Sequence, residues 1–119
     1  EEKALPTFLA CADVGLYLMA DTLLNRTKCP VKLADMLQVG LPVVGEAVGQ
    51  VVEYVQAGVN GLLCPSGDAE GVAAALVCLL RDEEKRKRFA AAGQSHLSTH
   101  FSWPILADKL LTFYTQCSQ

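Results

Sequence analysis

The stretch VKLADMLQVGLPVVG, residues 31–45, decides which fold the chain is predicted to adopt. Its first part has the spacing of a short helix with Leu33, Met36 and Leu37 on one face, and Gly40 stands where such a helix ends. The remainder, LPVVG, is a continuous apolar run of strand length, which is typical of a strand covered on both faces of a parallel sheet. The stretch therefore predicts a helix that leads directly into a buried parallel strand.

Apolar runs and helical patterns alternate along the whole chain. The predicted strands are residues 13–19, 41–45 and 59–65. The predicted helices lie within residues 4–12, 31–39 and 47–58, and three more begin at a cap on Asp68, near Asp82 and at a cap on Ser102, the last with an apolar face of Leu106, Leu110, Phe113 and Cys117. Residues 20–30 are mostly polar and predict a loop. This alternation predicts βαβ units and an α/β fold with about three parallel strands and flanking helices.

The first predicted strand, DVGLYLM, is very apolar for a strand at the edge of a small sheet. Two explanations follow from this. A second copy of the chain could pair with the edge in a homodimer, or the chain could be the second half of a larger doubly wound, Rossmann-like domain. The second explanation is favoured because the chain starts directly in a helix, with no strand before it.

Composition limits the classes of function. The chain has 119 residues, enough for one domain, and its 51% hydrophobic and 19% charged residues are typical of a globular protein. A formal charge of -3 offers no general attraction to nucleic acid. No apolar run reaches the roughly 18 residues that a membrane span needs, and the first residues, EEKALP, do not resemble a signal peptide. We therefore expect a cytoplasmic location.

Cysteines and histidines do not form a metal motif. The five cysteines make no CxxC pair, and their surroundings predict buried thiols in a reducing compartment. His96 and His100 have the i, i+4 spacing that can bind a metal, but no HExxH motif surrounds them, which favours an ordinary pair at a helix end. We expect no metal site and no cofactor.

Ligands of open α/β sheets bind beyond the carboxyl ends of the strands. Three segments follow the predicted strands: ADTLLNRTKCPVK, GEAVGQ and PSGD. The first leads into a helix N-terminus near Val31, where free N–H groups favour an anion such as phosphate, and Lys32 adds positive charge. Asp35 lies one turn further and could accept hydrogen bonds from two sugar hydroxyls, or could only stabilise the helix through its dipole. The residues alone leave both roles of Asp35 open.

A resemblance to a known family covers nearly the whole chain in order. PVKLADMLQVGLPVVGEAVGQVVEYVQAGVNGLLCPSGD, residues 30–68, resembles the donor-binding half of retaining glycosyltransferases with the GT-B fold, of the glycosyltransferase group 1 type. ADVGLYL before it, and DAEGVAAALVCLLRDEEKRKRFAAAG and FSWPILADKLLTFY after it, also resemble this family. The resemblance implies that residues 1–119 are a single partial C-terminal domain, and that the acceptor-binding domain and the basic residues that hold the donor diphosphate lie upstream.

The family pattern implies roles for particular residues. It has two glutamates eight residues apart, of which the second usually binds the ribose hydroxyls of a nucleotide sugar. Asp35 falls on the second position, whereas Thr27 departs from the pattern at the first, which is associated with the donor sugar and the reaction centre. Backbone groups between the two usually face the donor. The implied donor-binding residues are Thr27, Cys29, Pro30, Val31, Lys32 and Asp35, with no catalytic residue assigned.

The resemblance implies transfer of a sugar from a nucleotide sugar, which is a substrate and not a cofactor, to an unidentified acceptor. A membrane-associated acceptor of the full-length protein is among the alternatives. We expect the isolated chain to be inactive, because Lys32 alone is a poor replacement for the basic residues that stabilise a leaving diphosphate. Two other interpretations stay open: a nucleotide- or sugar-binding module without catalysis, and a helper domain that dimerises through its bare first strand.

Overall fold

The computed structural model describes residues 4–117. Over this range the elements follow in the order α1 (Leu5–Leu9), β1 (Gly15–Tyr17), α2 (Leu23–Arg26), α3 (Val31–Gln38), β2 (Val43–Glu46), α4 (Val51–Tyr54), β3 (Gly61–Cys64), α5 (Ala69–Arg81), α6 (Glu83–His100) and α7 (Trp103–Cys117). Among these helices, none is long and apolar enough to cross a membrane.

The three strands form one parallel sheet in the order β1-β2-β3. Leu16 of β1 is in register with Val44 of β2, and Val44 is in register with Leu62 of β3. Every residue of the central strand β2 is buried. The predicted α/β fold with three parallel strands is confirmed, and β1 lies at an edge of the sheet as expected.

Helices cover both faces of the central strand. Val43 packs in a cluster with Leu33 and Leu37 of α3, joined by side chains of α4, whereas its neighbour Val44 packs with Leu79 of α5 and Phe89 of α6. Successive side chains of a strand point to opposite faces, so the two clusters lie on the two sides of the sheet. This is the arrangement expected for half of a doubly wound, Rossmann-like domain.

Two predicted helix starts depend on capping carboxylates. Oδ1 of Asp68 accepts a hydrogen bond of 2.9 Å from the backbone N–H of Gly71 at the start of α5. Oδ1 of Asp82 accepts one of 2.8 Å from the N–H of Lys85 at the start of α6. Ser102 directly precedes α7 and accepts the backbone hydrogen bond of Leu106 through its carbonyl oxygen, at 3.0 Å. The two carboxylates satisfy N–H donors that would otherwise lack partners in the first helical turn, whereas the bond at Ser102 is an ordinary i→i−4 backbone bond and no side-chain cap by Ser102 is seen among the described residues.

The predicted loop 20–30 contains a helix that the sequence analysis missed. Thr22 has an extended backbone and its Oγ1 accepts a hydrogen bond of 3.2 Å from the N–H of Asn25, so it caps the four-residue α2. A threonine followed by two leucines was the local signal for this turn. The two leucines of α2 are exposed, Leu23 at 80% and Leu24 at 68%. The helix therefore has no buried apolar face, and the sequence shows no apolar periodicity that would have predicted it.

Burial differs from the sequence expectation in two places. Four of the five cysteines are exposed, so the prediction of buried thiols is wrong for them, and it is confirmed for Cys64 alone. Cys78 and Cys117 lie on helices α5 and α7, whereas Cys11 and Cys29 lie in the segments after α1 and before α3. Strand β1 is also not covered on both faces by the described chain, because Leu16 is 44% exposed. The apolar face of α7 is mostly exposed as well, and that helix has no buried residue.

Candidate functional site

The three segments that follow the strands are joined at the carboxyl edge of the sheet by Glu46, the last residue of β2. This side chain is buried, with 8% of its surface exposed. Its Oε2 accepts a hydrogen bond of 2.6 Å from the N–H of Met19, which follows β1. Its Oε1 accepts one of 2.6 Å from the N–H of Gly67, which follows β3. One carboxylate thus connects the segments on both sides of the central strand.

Ser66 makes a second link between the same two segments. Its Oγ donates a hydrogen bond of 3.1 Å to the carbonyl oxygen of Met19 and accepts one of 3.0 Å from the N–H of Asp21. Together, the side chains of Glu46 and Ser66 form hydrogen bonds with backbone groups of residues 19–21, which follow β1 and are not paired with another strand. The first and third segments are therefore held as one unit.

Helix α2 is fixed next to this unit by an ion pair and a close backbone contact. Arg26 donates two hydrogen bonds to the carboxylate of Asp21, of 2.6 and 2.8 Å, and this contact lowers the pKa of Asp21. Gly49, in the turn after β2, has a φ of +53°, and a Cβ atom there would lie 2.6 Å from the carbonyl oxygen of Arg26. The backbone of α2 therefore lies directly on the second segment.

The residues implied to bind a donor begin directly after α2. Thr27 is the C-cap of α2, and its Oγ1 donates a hydrogen bond of 3.0 Å to the carbonyl oxygen of Leu24. Cys29 is exposed, and its sulfur lies 3.9 Å from the hydroxyl oxygen of Tyr54. Pro30 is buried and precedes α3 without a side-chain cap. The backbone from Thr27 to Pro30 thus lies between α2 and α4.

Two tyrosines lie around Cys29. Burial, followed by the hydrogen bond to Cys29, raises the pKa of Tyr54 to about 12. Burial, followed by the influence of Cys29, also raises the pKa of Tyr17. Both phenols therefore stay uncharged to a higher pH than an ordinary tyrosine does. The ring of Tyr54 is held in place by stacking on Phe101, with 4.0 Å between the ring centres.

The N-terminal end of α3 is open. Val31 is 62% exposed, Lys32 is exposed, and no side chain caps the helix. Within residues 4–117, Lys32 makes no ion pair within 4 Å, and the space between Lys32 and Asp35 is not closed by a salt bridge. Anion binding at this helix end stays a prediction.

Asp35 lies on the side of α3 that faces α1. It is half-buried and lines a cleft of about 390 Å³ together with Gln38 and Val39 of α3 and Leu5, Pro6 and Leu9 of α1. The structure therefore does not bring Asp35 into the network of Glu46 and Ser66. A larger concavity of about 470 Å³ is lined by residues of α7 alone, between Asp108 and Gln116, and carries no convergent polar groups from a second element.

No metal centre is found within the described residues, where no three side chains of His, Cys, Asp or Glu converge on one point. The histidine pair contacts backbone instead. Nε2 of His96 lies 2.8 Å from the carbonyl oxygen of Glu53, and Nδ1 of His100 lies 3.0 Å from the carbonyl oxygen of His96. The first contact ties α6 to α4, and the second lies within α6.

Sequence reasoning missed Glu46 and Ser66, although both lie in segments expected at the carboxyl edge. The signal for Glu46 was weak but present: an acidic residue directly after the apolar run LPVVG, where the chain is still buried. A buried carboxylate needs hydrogen-bond donors, and the strand end supplies them from its neighbours. Ser66 had no signal beyond its place in a polar turn.

Comparison with known proteins identifies the family. The profile of the family described as glycosyl transferases group 1 matches residues 1–82 of the chain. The chain belongs to this family. Among curated relatives of this glycosyltransferase chain, the phosphatidyl-myo-inositol mannosyltransferase of Mycobacterium leprae is 31% identical over 84 residues, which are 71% of this chain and 22% of the relative. The chain thus spans about a fifth of the length of that relative.

Solved structures show where the chain falls in the GT-B fold. HepE of Anabaena, solved in complex with UDP-glucose, superimposes with a TM-score of 0.75 at 22% identity, over 97% of this chain and 30% of that chain. The C-terminal domain of LpcC, a group 1 family glycosyl transferase from Francisella tularensis, superimposes with a TM-score of 0.68 at 16% identity, over 87% of this chain and 50% of that chain. At these identities the likeness shows the fold alone. The chain has the fold of the C-terminal half of GT-B glycosyltransferases, as its sequence resemblance implied.

Proposed function

We propose that the chain forms the donor-binding side of an enzyme that transfers a sugar from a nucleotide-sugar donor to an acceptor. The observation that carries this proposal is the ordered carboxyl edge of the sheet, where Glu46, Ser66 and Gly49 hold all three post-strand segments together. Ligands of open α/β sheets bind at this edge. Membership of the group 1 family and the UDP-glucose bound by HepE support a nucleotide sugar as the ligand.

The open end of α3 is assigned to the donor diphosphate. No side chain caps this end, although the N–H groups of Val31 and Leu33 bond to the backbone carbonyl oxygens of Cys29 and Pro30. The helix dipole favours an anion there. Lys32 adds a positive charge that no carboxylate within the described residues neutralises. The backbone of Cys29, Pro30 and Val31 borders the same space. In this proposal Thr27 lies on the donor-sugar side, and no catalytic residue is assigned.

Asp35 is assigned to the ribose hydroxyls. Small-molecule sites in proteins are mostly apolar concavities with a few polar groups that fix orientation. The cleft between α1 and α3 has this character, because Leu5, Pro6 and Leu9 stand beside one carboxylate. A carboxylate is an acceptor only, so it can take hydrogen bonds from two neighbouring hydroxyls.

The 119-residue chain is proposed to bind the donor without turning it over. It spans about a fifth of its curated mannosyltransferase relative, and Thr27 cannot supply the carboxylate that the family pattern places there. Release of UDP or GDP from a nucleotide sugar by the isolated chain, followed by chromatography, would overturn this half of the proposal.

Isothermal titration calorimetry with UDP and with GDP tests the binding half. Asp35→Asn keeps the size of the side chain and removes its charge. We expect it to weaken nucleotide binding about ten- to hundredfold, the loss typical of hydrogen bonds to a charged group. Asp108→Asn, an equal change on an exposed aspartate of α7, is the matched control and should leave the affinity unchanged. Equal affinities of the Asp35 variant and the unsubstituted chain would exclude Asp35 from the site.

A second candidate function is favoured by one observation, the unpaired edge of β1. Among the described strands, β1 pairs only with β2, and its Leu16 is 44% exposed. Strand edges of this kind associate with other strands. A stable dimer in sedimentation, together with the absence of nucleotide binding, would favour a dimerising helper domain over the donor-binding half.

A further inference from the structure

We propose that Glu46 is a positioning residue for the donor site: it holds the segments after β1 and β3 in a fixed relation and thereby sets the nucleotide affinity. The inference rests on the proposed function, because Glu46 lies at the edge of the sheet where the donor is proposed to bind. Glu46 itself is not among the residues that the resemblance implies to contact the donor.

The charge of Glu46 has few partners. Glu46 is 8% exposed as a residue, and within residues 4–117 no nitrogen of lysine, arginine or histidine lies within 4 Å of its carboxylate oxygens. The N–H groups of Met19 and Gly67 donate hydrogen bonds of 2.6 Å each to this carboxylate, and these bonds compensate its burial. A buried charge without compensation is costly, and hydrogen bonds to a charged acceptor are roughly twice as strong as neutral ones. Both segments must therefore stay in place as long as the side chain of Glu46 is buried.

The constraint continues from Met19 towards the donor-binding residues. Ser66 binds the carbonyl oxygen of Met19 and the N–H of Asp21. The carboxylate of Asp21 holds Arg26, the last residue of α2. The next residue is Thr27, where the implied donor-binding stretch begins. Glu46 thus acts on the site through a continuous set of hydrogen bonds, without a direct contact.

Glu46→Gln tests this chain of contacts at constant side-chain size. The carbonyl oxygen of glutamine can accept one of the two N–H groups, whereas its amide nitrogen is a donor and cannot accept the other. We expect the Kd for UDP or GDP in the 119-residue chain to rise about tenfold, within the range seen for coupled residues that touch no ligand. We also expect faster amide hydrogen exchange at Met19 or Gly67.

Asp82→Ala is the matched control, since it removes the capping hydrogen bond of α6 away from the carboxyl edge. It should lower the unfolding midpoint and leave the Kd unchanged, which separates positioning from general stability. An unchanged Kd in the Glu46 variant, or an equal rise in the Asp82 variant, overturns the inference. If Glu46→Gln does not fold, Ser66→Ala decides, because it breaks a link between the same segments; an unchanged Kd there overturns the inference.

Failure of the proposed function gives a different result. If the unsubstituted chain binds neither UDP nor GDP, the proposed function is refuted, and amide exchange alone decides the role of Glu46. Slow exchange at Met19 and Gly67 that becomes fast in Glu46→Gln then supports the holding of the two segments. Equal exchange rates in both proteins overturn it.

Discussion

Gly49→Ala is expected to separate α2 from the carboxyl edge of the sheet. Gly49 has a φ of +53°, and a Cβ atom there would lie 2.6 Å from the carbonyl oxygen and 2.7 Å from the Cα of Arg26. Both atoms belong to the backbone, so no side-chain rotation relieves the overlap. Alanine is disfavoured in the left-handed region by about 1–2 kcal/mol. The overlap adds about 1–3 kcal/mol, the usual cost of overpacking.

Gly58→Ala is the matched control for this substitution. Gly58 has a φ of +79°, and nothing lies within 4 Å of the position of its Cβ. It therefore carries the backbone cost alone. The free energy of unfolding should fall by about 1–2 kcal/mol in Gly58→Ala. The further loss in Gly49→Ala, about 1–3 kcal/mol, measures the contact with α2.

Urea denaturation followed by circular dichroism gives both free energies by linear extrapolation. The Gly49 variant should also bind UDP or GDP more weakly than the Gly58 variant, because displacement of α2 moves Thr27, its C-cap. Two variants whose unfolding free energies agree within about 0.5 kcal/mol, the scatter expected for independent sites, would refute the close approach of α2 to the turn at Gly49.

Two further outcomes are expected. Leu79→Ala should cost about 2–5 kcal/mol in urea denaturation, since Leu79 is 0% exposed, whereas Leu80→Ala, at a 50% exposed neighbour, should cost far less; equal losses would contradict the assigned face of α5. The pKa of Tyr54 is raised from 10.0 to about 12, so between these values the folded state keeps a proton that the unfolded state has lost. Stability should therefore fall as the pH rises from 10 to 12. Tyr54→Phe should show a smaller fall over this window in thermal melts, and an equal fall would assign the effect to other groups.

Local patterns predicted the elements whose causes are local. The run LPVVG and the turn before GLLC gave strands at Val43–Glu46 and Gly61–Cys64, because an apolar run bounded by turn residues has few other stable conformations. The carboxylate of Asp68 was predicted as a cap for the same reason, since its partner is three residues away.

Burial was predicted less well. The apolar character of a side chain shows that its burial would be favourable, but it does not show whether another element of the chain covers it. Cys11 and Cys78 lie in apolar surroundings in the sequence, yet both are exposed. The apolar face of α7 shows the same effect, with Leu110 at 54% and Phe113 at 59% exposure. In each case the described chain contains no element that covers the predicted face.

The site was only partly accessible to sequence reasoning. The three segments at the carboxyl edge followed from the parallel sheet alone. Glu46 did not, since its two partners are 27 and 21 residues away and meet it only when the sheet has formed. The roles of Asp35 and Lys32 stay predictions, because both roles are contacts with a ligand and not contacts within the chain.

The direction of the strand that meets β1 distinguishes the two explanations for its bare edge. Strands joined by a crossover connection within one domain run parallel, as β1, β2 and β3 do. A closed pair of identical copies has two-fold symmetry, and hydrogen-bonded edges related in this way run antiparallel. A neighbouring strand parallel to β1 would therefore complete a doubly wound domain, and an antiparallel one would join two copies into a continuous six-stranded mixed sheet. Isotope-edited vibrational spectroscopy of labelled Leu16 can tell these two geometries apart without a crystal.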